Sequence, residues 1–464
     1  MTNIKINTTV IFMSIIVLTA ISTWIVPAGQ YDREIVDGRQ TLVEGSFHHI
    51  ESSPQGIFDV LQAPMRAFGR STATGIMAFL LIIGGAFMII ERTGALTAAI
   101  KHASVLFTKR PKLRVLFIPV SMLLFSLGGA TYGMAEEVLI FVPVFIPLAI
   151  SLRYDSTVGV AVPFLGAYAG FGGAFMNPFT LGVAQGIAEL PLYSGMGYRL
   201  IIWASITAVA IIFVMLYARK ITKNPSASLT YEFDKERKEQ LRLTDTIDEK
   251  FTIRHKLVLG AFASTIVLLI FGVIRYEWHI VEIGALFLGL GVVATILGRM
   301  KINDATKSFY DGVRSMAEII FLLALATSII IIAENGNILD TILHFMASGL
   351  SSLNATLASW VAFIMQAFLN LFIPGGSSKA ILTMPILAPL SDLIGITRQT
   401  MILAYQFGDG IGNLFMPTNV ILLGVISMAR IPFAKWFRFI MPLVVVWALM
   451  SLAFLAIAVQ MNWQ

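Results

Sequence analysis

The segment Gly408-Asp409-Gly410-Ile411-Gly412-Asn413-Leu414-Phe415-Met416-Pro417-Thr418-Asn419 interrupts an apolar stretch, residues 399–427, that is otherwise long enough to cross a membrane. A second stretch, 158–189, is interrupted by Gly166, Gly170, Gly172-Gly173, Asn177-Pro178 and Thr180. Proline removes a helical hydrogen bond, and glycine lowers the cost of unwinding. In lipid, unwound backbone is tolerated only inside protein or beside a water-filled cavity. We therefore predict two broken helices at Asn-Pro and Gly-Asp-Gly, whereas Gly166 and Gly170 equally suit close helix packing.

The composition places the whole chain in a membrane. Of its 464 residues, 57% are hydrophobic and 13% are charged. Soluble domains average about 45–50% apolar and about 25% charged residues. The absence of cysteine excludes disulfides, thiolate metal sites and cysteine nucleophiles. The one long run of mixed charge, 219–256, contains acids as well as bases, so it indicates a solvated cytoplasmic loop and no nucleic-acid partner.

The hydropathy pattern predicts an all-α polytopic membrane protein. A helix needs about 20 apolar residues to cross about 30 Å of hydrocarbon. About nine transmembrane helices are predicted, at 8–27, 73–99, 158–189, 197–218, 257–274, 281–298, 316–334, 399–427 and 439–460. With the N-terminus in the cytoplasm, 24 Lys and Arg residues lie on that side and 7 on the other. This asymmetry follows the positive-inside rule and predicts the orientation.

The two halves of the chain share landmarks at one offset. Gly94 and Gly336, Pro143 and Pro385, and Pro147 and Pro389 are each separated by 242 residues. Pro178 then corresponds to Pro417, with the register slipped by three. We predict repeat one at 1–218, the loop at 219–256, a linking transmembrane helix at 257–274 and repeat two at 281–460. The linking helix makes the second repeat enter from the opposite face, which is the inverted-repeat layout of many secondary transporters.

Two further apolar stretches, 115–150 and 357–391, are predicted to be re-entrant hairpins. The arms of the first, 115–128 and 138–150, would each be about 20 Å long as helices, too short to span the core. The tips are rich in glycine and hydroxyl side chains: Gly128-Gly129-Ala130-Thr131-Tyr132-Gly133-Met134-Ala135-Glu136-Glu137 and Pro374-Gly375-Gly376-Ser377-Ser378-Lys379. The alternative is a pair of ordinary spans joined by a short polar loop, and topology counting does not separate the two.

The tips, the Met176-Asn177-Pro178 and Met416-Pro417-Thr418-Asn419 breaks and the span pattern resemble the DcuC/YfcC-type carriers over nearly the entire chain. These are C4-dicarboxylate and basic amino-acid transporters of the wider ion-transporter superfamily. The resemblance implies a bacterial inner-membrane homodimer, two facing hairpins with substrate at their tips, and an elevator-type movement. More distant dicarboxylate relatives carry Ser-Asn-Thr at the tips. Here the tips read Ala135-Glu136-Glu137 and Ser377-Ser378-Lys379, which argues against a dicarboxylate.

Four ionisable residues fall in the predicted site: Glu136, Glu137, Lys379 and Asp409. A charge at membrane depth costs about 2.5–3.5 kcal/mol on insertion scales, so such residues usually serve transport or pair internally. Lys379 and the tip amides would bind a substrate carboxylate, and Glu136 or Glu137 a substrate ammonium or a coupling proton. Asp409 with Asn413 would bind the coupling ion. The alternatives are a structural Glu137–Lys379 ion pair between the hairpins and an Asp409 that is hydrogen-bonded within its own loop.

We therefore expect a secondary active transporter, either an ion-coupled symporter or an antiporter. The predicted substrate-binding residues are Thr131, Glu136, Glu137, Asn177, Gly375, Gly376, Ser377, Ser378, Lys379, Thr418 and Asn419. The favoured substrate is an amino acid such as a basic one, with a C4-dicarboxylate as the alternative and a channel or membrane sensor as the second. Na⁺ or H⁺ would be the coupling ion, and no cofactor is expected. The motifs of serine hydrolases, zinc peptidases and P-loop ATPases are absent, so an enzyme is not predicted.

Overall fold

The computed structural model describes residues 8–36, 39–43, 45–96, 98–99, 111–131, 133–245, 251–276, 278, 280–350 and 353–464. Parts of the predicted stretches 73–99, 115–150 and 219–256 lie outside these residues. The described chain is mostly helical. Its first half contains α1 (Thr8–Ile25), α2 (Ile57–Ala67), α3 (Ser71–Arg92), α4 (Pro111–Thr131), α5 (Val138–Ser151), α6 (Ser156–Gly172), a π-helix (Pro178–Gly182), α7 (Val183–Ile187) and α8 (Met196–Lys223).

The second half repeats this succession of long, short and broken helices. Its elements are α9 (Tyr231–Asp245), α10 (Ile253–Tyr276), α11 (Ile280–Leu297), α12 (Ile302–Ser315), α13 (Ala317–Asn335), α14 (Leu339–Leu350), α15 (Ala355–Leu369), α16 (Gly376–Leu393), α17 (Arg398–Gly412), α18 (Val420–Met428) and α19 (Phe433–Gln460). A 3₁₀ turn, Pro225–Ala227, precedes α9. The prediction of a mostly helical chain with several apolar helices is confirmed.

Five helical segments within the described residues are long and apolar enough to cross a membrane: Thr74–Arg92, Arg114–Thr131, Met196–Lys223, Ile280–Leu297 and Phe433–Gln460. A sixth results if Ile302–Ser315 and Ile320–Asn335, which are bent by 41° to each other, form one span. Exposed aliphatic and aromatic side chains cover these helices, as lipid contact requires. Leu216 on α8 is 58% exposed and Leu449 on α19 is 61% exposed.

The arm-length argument for the first hairpin is wrong for one of its arms. The predicted 14-residue arm 115–128 belongs to α4, which has 21 residues and contains a stretch long enough for a complete span. The other arm, α5, has 14 residues, and the two arms of the second hairpin, α15 and α16, have 15 and 18. Helix length alone therefore does not separate a hairpin from two spans here, and re-entrance stays a prediction.

A small β-structure that the sequence reading missed follows α1. Strand β1 (Gly29–Gln30) pairs antiparallel with β4 (His48–His49), and β2 (Arg33–Val36) pairs antiparallel with β3 (Arg39–Leu42). Asp340 in α14 fixes this β-structure: its Oδ2 accepts from the backbone N–H of Tyr31 at 3.0 Å and from Arg33 Nη2 at 2.9 Å. The strands therefore cover the start of α14.

The run 219–256 is not simply a solvated loop. Its residues 231–245 form α9, and Asp234 on this helix is only 1% exposed. Asp234 Oδ2 accepts from the backbone N–H of Ser156 at 2.8 Å and from Thr230 Oγ1 at 2.6 Å. The mixed charges of this segment predicted a solvated loop, but the buried carboxylate of Asp234 holds α9 against the start of α6.

Candidate functional site

Both predicted broken helices are present, the first with its break at Asn177-Pro178 and the second with its break after Gly412. Helix α6 ends at Gly172 and the next helical turn begins at Pro178, where Asn177 Oδ1 accepts from the N–H groups of Phe179 and Thr180 at 2.9 and 3.2 Å. Helix α17 ends at Gly412 and α18 begins after Asn419, whose Oδ1 accepts from Ile421 and Leu422 N–H at 2.9 and 3.2 Å. In each break an asparagine carboxamide satisfies backbone N–H groups that a new helix start leaves without partners.

The helix caps align the two halves without a slip. Asn177 and Asn419 are 242 residues apart, the offset of the other landmarks. The caps at the starts of α6 and α17 share this offset: Asp155 Oδ1 accepts from Val158 N–H at 2.8 Å, and Thr397 Oγ1 accepts from Thr400 N–H at 3.2 Å. The caps favour pairing Asn177 with Asn419 over the slipped pairing of Pro178 with Pro417.

The Gly-Asp-Gly run does not break its helix, contrary to the prediction. Residues 408–410 lie in the continuous, buried body of α17, and the break follows Gly412. The glycines serve packing. A Cβ on Gly408 would lie 2.7 Å from the carbonyl oxygen of Phe363 on α15, and a Cβ on Gly412 would lie 2.0 Å from Asn370 Nδ2.

The corresponding glycines in repeat one pack in the same way. A Cβ on Gly166 would lie 3.0 Å from the carbonyl oxygen of Met122 on α4, and one on Gly170 would lie 1.9 Å from that of Ser126. The packing interpretation of Gly166 and Gly170 is confirmed. Each broken helix thus lies close against the helix that opens the preceding hairpin, as small residues four apart allow.

The centre of the site is a buried ion pair between Lys379 and Asp409. Lys379 Nζ lies 2.7 Å from Asp409 Oδ1, and the side chains are 0% and 1% exposed. The ammonium also donates to the backbone oxygen of Gln366 at 3.3 Å and to Asn370 Oδ1. The ammonium therefore has one ion-pair partner and two hydrogen-bond acceptors. An ammonium that is excluded from water is stable in the folded protein only when such partners compensate for its lost hydration.

Asn370 connects the elements around this pair, and the sequence reading missed it. It follows α15, and its Nδ2 donates to the carbonyl oxygens of Gly408 and Asp409 at 3.2 and 2.9 Å. Its own carbonyl oxygen accepts from Thr418 Oγ1, in the second break, at 2.9 Å. The sequence signal that could have identified Asn370 is a single asparagine directly after the apolar helix 355–369.

The tip of the second hairpin lies on the first break. Ser377 Oγ donates to the carbonyl oxygen of Phe179 at 2.5 Å. A Cβ on Gly376 would lie 2.6 Å from Thr180 Cγ2 and 2.9 Å from Asp409 Oδ2, so only glycine permits this approach. The structure thereby brings the predicted residues Gly376, Ser377 and Lys379 together with the first break. Gly375 and Ser378 are exposed at the same tip.

The tip of the first hairpin approaches the same break from its own side. Gly133 has a φ of +78°, and a Cβ there would lie 2.7 Å from Asn177 Oδ1. Glu137 is 7% exposed and its Oε2 accepts from the backbone N–H of Ala135 at 3.0 Å. Glu136 is half-buried beside it. The hypothesis of a Glu137–Lys379 ion pair is wrong, because Lys379 bonds Asp409 instead.

Thr131 and the predicted ion site also differ from expectation. Thr131 Oγ1 donates to the carbonyl oxygen of Leu127 in its own helix at 2.7 Å. Lys379 occupies the position beside Asp409 that a coupling cation would take. Asn413 accepts from Asn419 Nδ2, at 2.9 Å through its backbone oxygen and at 3.0 Å through Oδ1. Within the described residues no cluster of His, Asp and Glu suits a metal ion.

Tyr168 of α6 contacts the second break. Its hydroxyl is 3.3 Å from Asn419 Nδ2, which donates to it. This buried phenol, which the sequence reading did not single out, therefore connects the first broken helix to the break in the second.

Several buried polar atoms around the ion pair lack a hydrogen-bond partner among the described residues. They are both side-chain polar atoms of Gln366, Asn177 Nδ2, Thr180 Oγ1 and both carboxylate oxygens of Asp409, which contacts Lys379 as an ion pair. Native proteins satisfy nearly all buried polar atoms, so an unsatisfied group calls for an explanation such as a ligand. These atoms belong to α15, to α17 and to the first break, around the contact between Lys379 and Asp409.

Comparison with known proteins assigns the family. Residues 6–460 match the family model described as "DcuC: C4-dicarboxylate anaerobic carrier". The chain belongs to this carrier family. It is 35% identical over 469 residues to an Escherichia coli K12 protein named "Putative basic amino acid antiporter YfcC", covering 93% of this chain and 92% of that protein. An uncharacterised protein of Haemophilus influenzae is 31% identical, covering 87% of this chain and 78% of its relative.

Two solved transporters share the chain's length but little sequence. The Alcanivorax borkumensis YdaH transporter has a TM-score of 0.43 at 13% identity, covering 98% of this chain and 99% of that one. Neisseria gonorrhoeae MtrF, described as representing a class of antimetabolite efflux pumps, has a TM-score of 0.44 at 18% identity, covering 98% and 95%. The family is therefore identified from the sequence matches and not from these structures.

Proposed function

We propose that this carrier is a secondary active transporter, an ion-coupled symporter or an exchanger, for a small metabolite that bears a carboxylate. The favoured substrate is an amino acid such as a basic one. The observation that carries the proposal is the Lys379–Asp409 pair, 2.7 Å apart and inaccessible to water, at the point where a hairpin tip and both helix breaks meet. Buried ionisable residues in membrane proteins mark substrate and ion pathways.

The charges suit a zwitterion. An α-amino acid carries an ammonium and a carboxylate on one carbon atom, so it can replace one ion pair by two: ammonium with Asp409 and carboxylate with Lys379. The unsatisfied atoms Asn177 Nδ2 and Thr180 Oγ1 then offer hydrogen bonds to the substrate. A basic side chain would find the carboxylates of Glu136 and Glu137 at the facing tip. Each lost bond to water is thereby replaced by one to the protein.

A C4-dicarboxylate, the substrate in the family's description, is the second candidate. It would need two cations, and the described part of this site offers one lysine beside three carboxylates. Lys379 would be its main anchor. The charge count therefore favours the zwitterion.

The same pair suggests how transport is coupled. Lys379 neutralises Asp409 when no substrate or ion is present, so the empty site carries no exposed charge through the membrane. Na⁺, H⁺ or a substrate ammonium at Asp409 would release Lys379 to bind a carboxylate. Alternating exposure would follow from movement of the hairpins and broken helices as one body, the elevator mechanism of two inverted repeats, in a homodimer with a cytoplasmic N-terminus.

Proteoliposome assays test the proposal. Purified protein is reconstituted and uptake of labelled arginine, ornithine, glutamate, succinate and fumarate is measured, with and without a sodium or proton gradient. We expect saturable counterflow of arginine or ornithine, which a channel would not show. Lys379→Gln should abolish it, while Lys301→Gln, at an exposed position, should leave it unchanged. Counterflow of succinate and fumarate alone would replace the favoured substrate by the alternative, and transport of none would contradict both.

A further inference from the structure

The first broken helix consists of α6 and α7, and the second consists of α17 and α18. At each end of these two broken helices, the N-terminus of one lies beside the C-terminus of the other. At one end, α17 starts at Arg398 and α7 finishes just before Ala188. Arg398 Nη1 donates to the carbonyl oxygen of Ala188 at 3.0 Å and to Glu189 Oε2 at 3.0 Å. Asp392 Oδ2 fixes the guanidinium by accepting from Nε and Nη2 at 2.9 and 2.8 Å. A guanidinium at a helix C-terminus bonds carbonyl oxygens that have no helical partner and complements the helix dipole.

At the opposite end the position equivalent to Arg398 is Ser156, 242 residues earlier. A serine cannot reach the finish of α18. Its place is taken by Arg237 of α9, whose Nη1 donates to Ser156 Oγ at 2.6 Å. The same guanidinium donates to the carbonyl oxygens of Met428 and Ala429, at 3.0 and 3.5 Å. Both ends of the pair thus have a guanidinium that joins a helix start to a helix finish.

Asp234 gives Arg237 a fixed position. Its carboxylate lies 3.6 Å from Arg237 Nη1, and its side chain is 1% exposed against 23% for the arginine. The same carboxylate accepts from the backbone N–H of Ser156 at 2.8 Å and from the Ser156 hydroxyl. The helix start receives a carboxylate and the helix finish receives a guanidinium, so the charges match both helix poles.

The two ends differ in where the arginine comes from. Arg398 is part of the broken helix itself, whereas Arg237 comes from the segment that joins the two repeats. We propose that Arg237 is a positioning residue for transport: with Asp234 it fastens α6 to α18 at one end, as Arg398 fastens α17 to α7 at the other. Helix α9 then belongs to the unit that carries the site. This inference rests on the proposed function only in placing the site at the two breaks.

Hydrogen–deuterium exchange of the full chain in nanodiscs tests the fastening without any substrate. Arg237→Ala should raise the exchange rate of amides in 156–160 and 426–431 by about tenfold, because Met428, Ala429 and Ser156 lose a charged partner. Lys235→Ala is the matched control. Lys235 is exposed on the same helix, and its ammonium contacts Glu232 and the Tyr231 ring, which both belong to α9, so we expect no change in the broken helices.

Transport is measured on the same variants as counterflow of labelled arginine. For a positioning role we expect Arg237→Ala to lower the maximal rate about tenfold or more while the half-saturating concentration stays within about twofold, since the substrate contacts are intact. Arg237→Lys keeps the charge but not the planar fork, so it should recover part of the rate. Should Arg237→Ala unfold, Arg237→Lys alone still gives both readouts.

Two results would overturn the proposal. One is faster exchange confined to 231–245, which would show that α9 detaches without affecting the broken helices. The other is an unchanged transport rate in spite of faster exchange at both helix ends. If wild-type protein does not take up arginine, the substrate proposal fails, while the exchange data still decide whether Arg237 fastens the helices.

Discussion

Helices α6 and α17 each begin with a side-chain cap, Asp155 and Thr397, and lead into an asparagine-capped break, yet only α17 holds a buried charge in its body. Asp409 of α17 corresponds to Ala167 of α6 at the offset of 242. Lys379 likewise corresponds to Glu137, and Asn370 to Gly128. The two halves therefore share the backbone pattern that allows a break and differ in the charged side chains beside it.

Among substitutions that test the difference between α6 and α17, we expect the largest effect at Asp409. Asp409→Asn removes the counter-charge of a buried ammonium, and breaking a buried pair costs about 3–5 kcal/mol. We expect a large fall in the unfolding temperature of the detergent-solubilised protein and loss of transport. Lys379→Met with Asp409→Leu should recover much of the stability, but no transport, since it removes both charges together.

Glu334→Gln serves as the control for this prediction. Its carboxylate pairs with Arg70 at 2.6 Å but is 42% exposed, so its loss should cost about 1 kcal/mol or less. Wild-type stability and transport in Asp409→Asn would show that the buried pair has no role in either.

The equivalent glycines Gly170 and Gly412 should respond differently to alanine. At Gly170 the new Cβ would lie 1.9 Å from a backbone oxygen, which cannot move without its helix, so we expect a loss of about 1–3 kcal/mol or more. At Gly412 it would meet the Asn370 carboxamide, which can move but holds Lys379. Gly412→Ala should therefore affect transport more than thermal stability.

Thermal unfolding and counterflow measured side by side check this difference. Gly186→Ala is the control, because no atom lies within 4 Å of the added Cβ. It should be neutral or stabilising by up to about 1 kcal/mol through helix propensity. Equal effects of Gly170→Ala and Gly412→Ala on both readouts would contradict the assigned contacts.

Substitutions of the two asparagine caps should have smaller effects on stability, and they compare the two breaks directly. Asn177→Ala and Asn419→Ala each remove two hydrogen bonds to backbone N–H groups and should each cost about 1 kcal/mol. Asn419→Ala should cost more, because its Nδ2 also bonds Asn413 and Tyr168. Aspartate at either position keeps the acceptor but not the Nδ2 donor, so chemical denaturation of the Asp variants separates the two contributions.

The smallest effect concerns the caps that start α6 and α17. Burial, together with the charge of Asp234, raises the pKa of Asp155 above its ordinary value of 3.8. The folded protein then binds the proton more tightly than the unfolded chain. The contribution is fully present at low pH and is lost as pH rises through the raised pKa, by at most about 1.4 kcal/mol per pH unit.

Asp155→Asn should remove this part of the pH dependence of the unfolding temperature. Thr397 occupies the equivalent cap and does not titrate, so Thr397→Asn should leave the pH dependence unchanged. A wild-type profile retained in Asp155→Asn would assign the slope to another group.

Local chemistry explains which parts of the site were predictable. Asn177 and Asn419 were singled out at the breaks because an asparagine inside an apolar stretch acts on its own backbone, whereas their predicted role in substrate binding stays a prediction. Gly-Asp-Gly was misread because a glycine that permits unwinding and one that permits close packing look alike in sequence. Only the neighbours of Gly408 and Gly412, on α15, distinguish the two.

The sequence by itself determined the membrane as solvent, the helical class, the family and the two apolar stretches that contain a break, because hydropathy and backbone propensity act over short distances. The tertiary structure alone decided that Lys379 pairs with Asp409 rather than Glu137, that Asn370 joins three elements, and that α9 docks on the broken helices. These are contacts between residues far apart in the chain. Charge type alone does not select among several available partners. The choice follows from which backbone segments approach closely enough to exclude water between them.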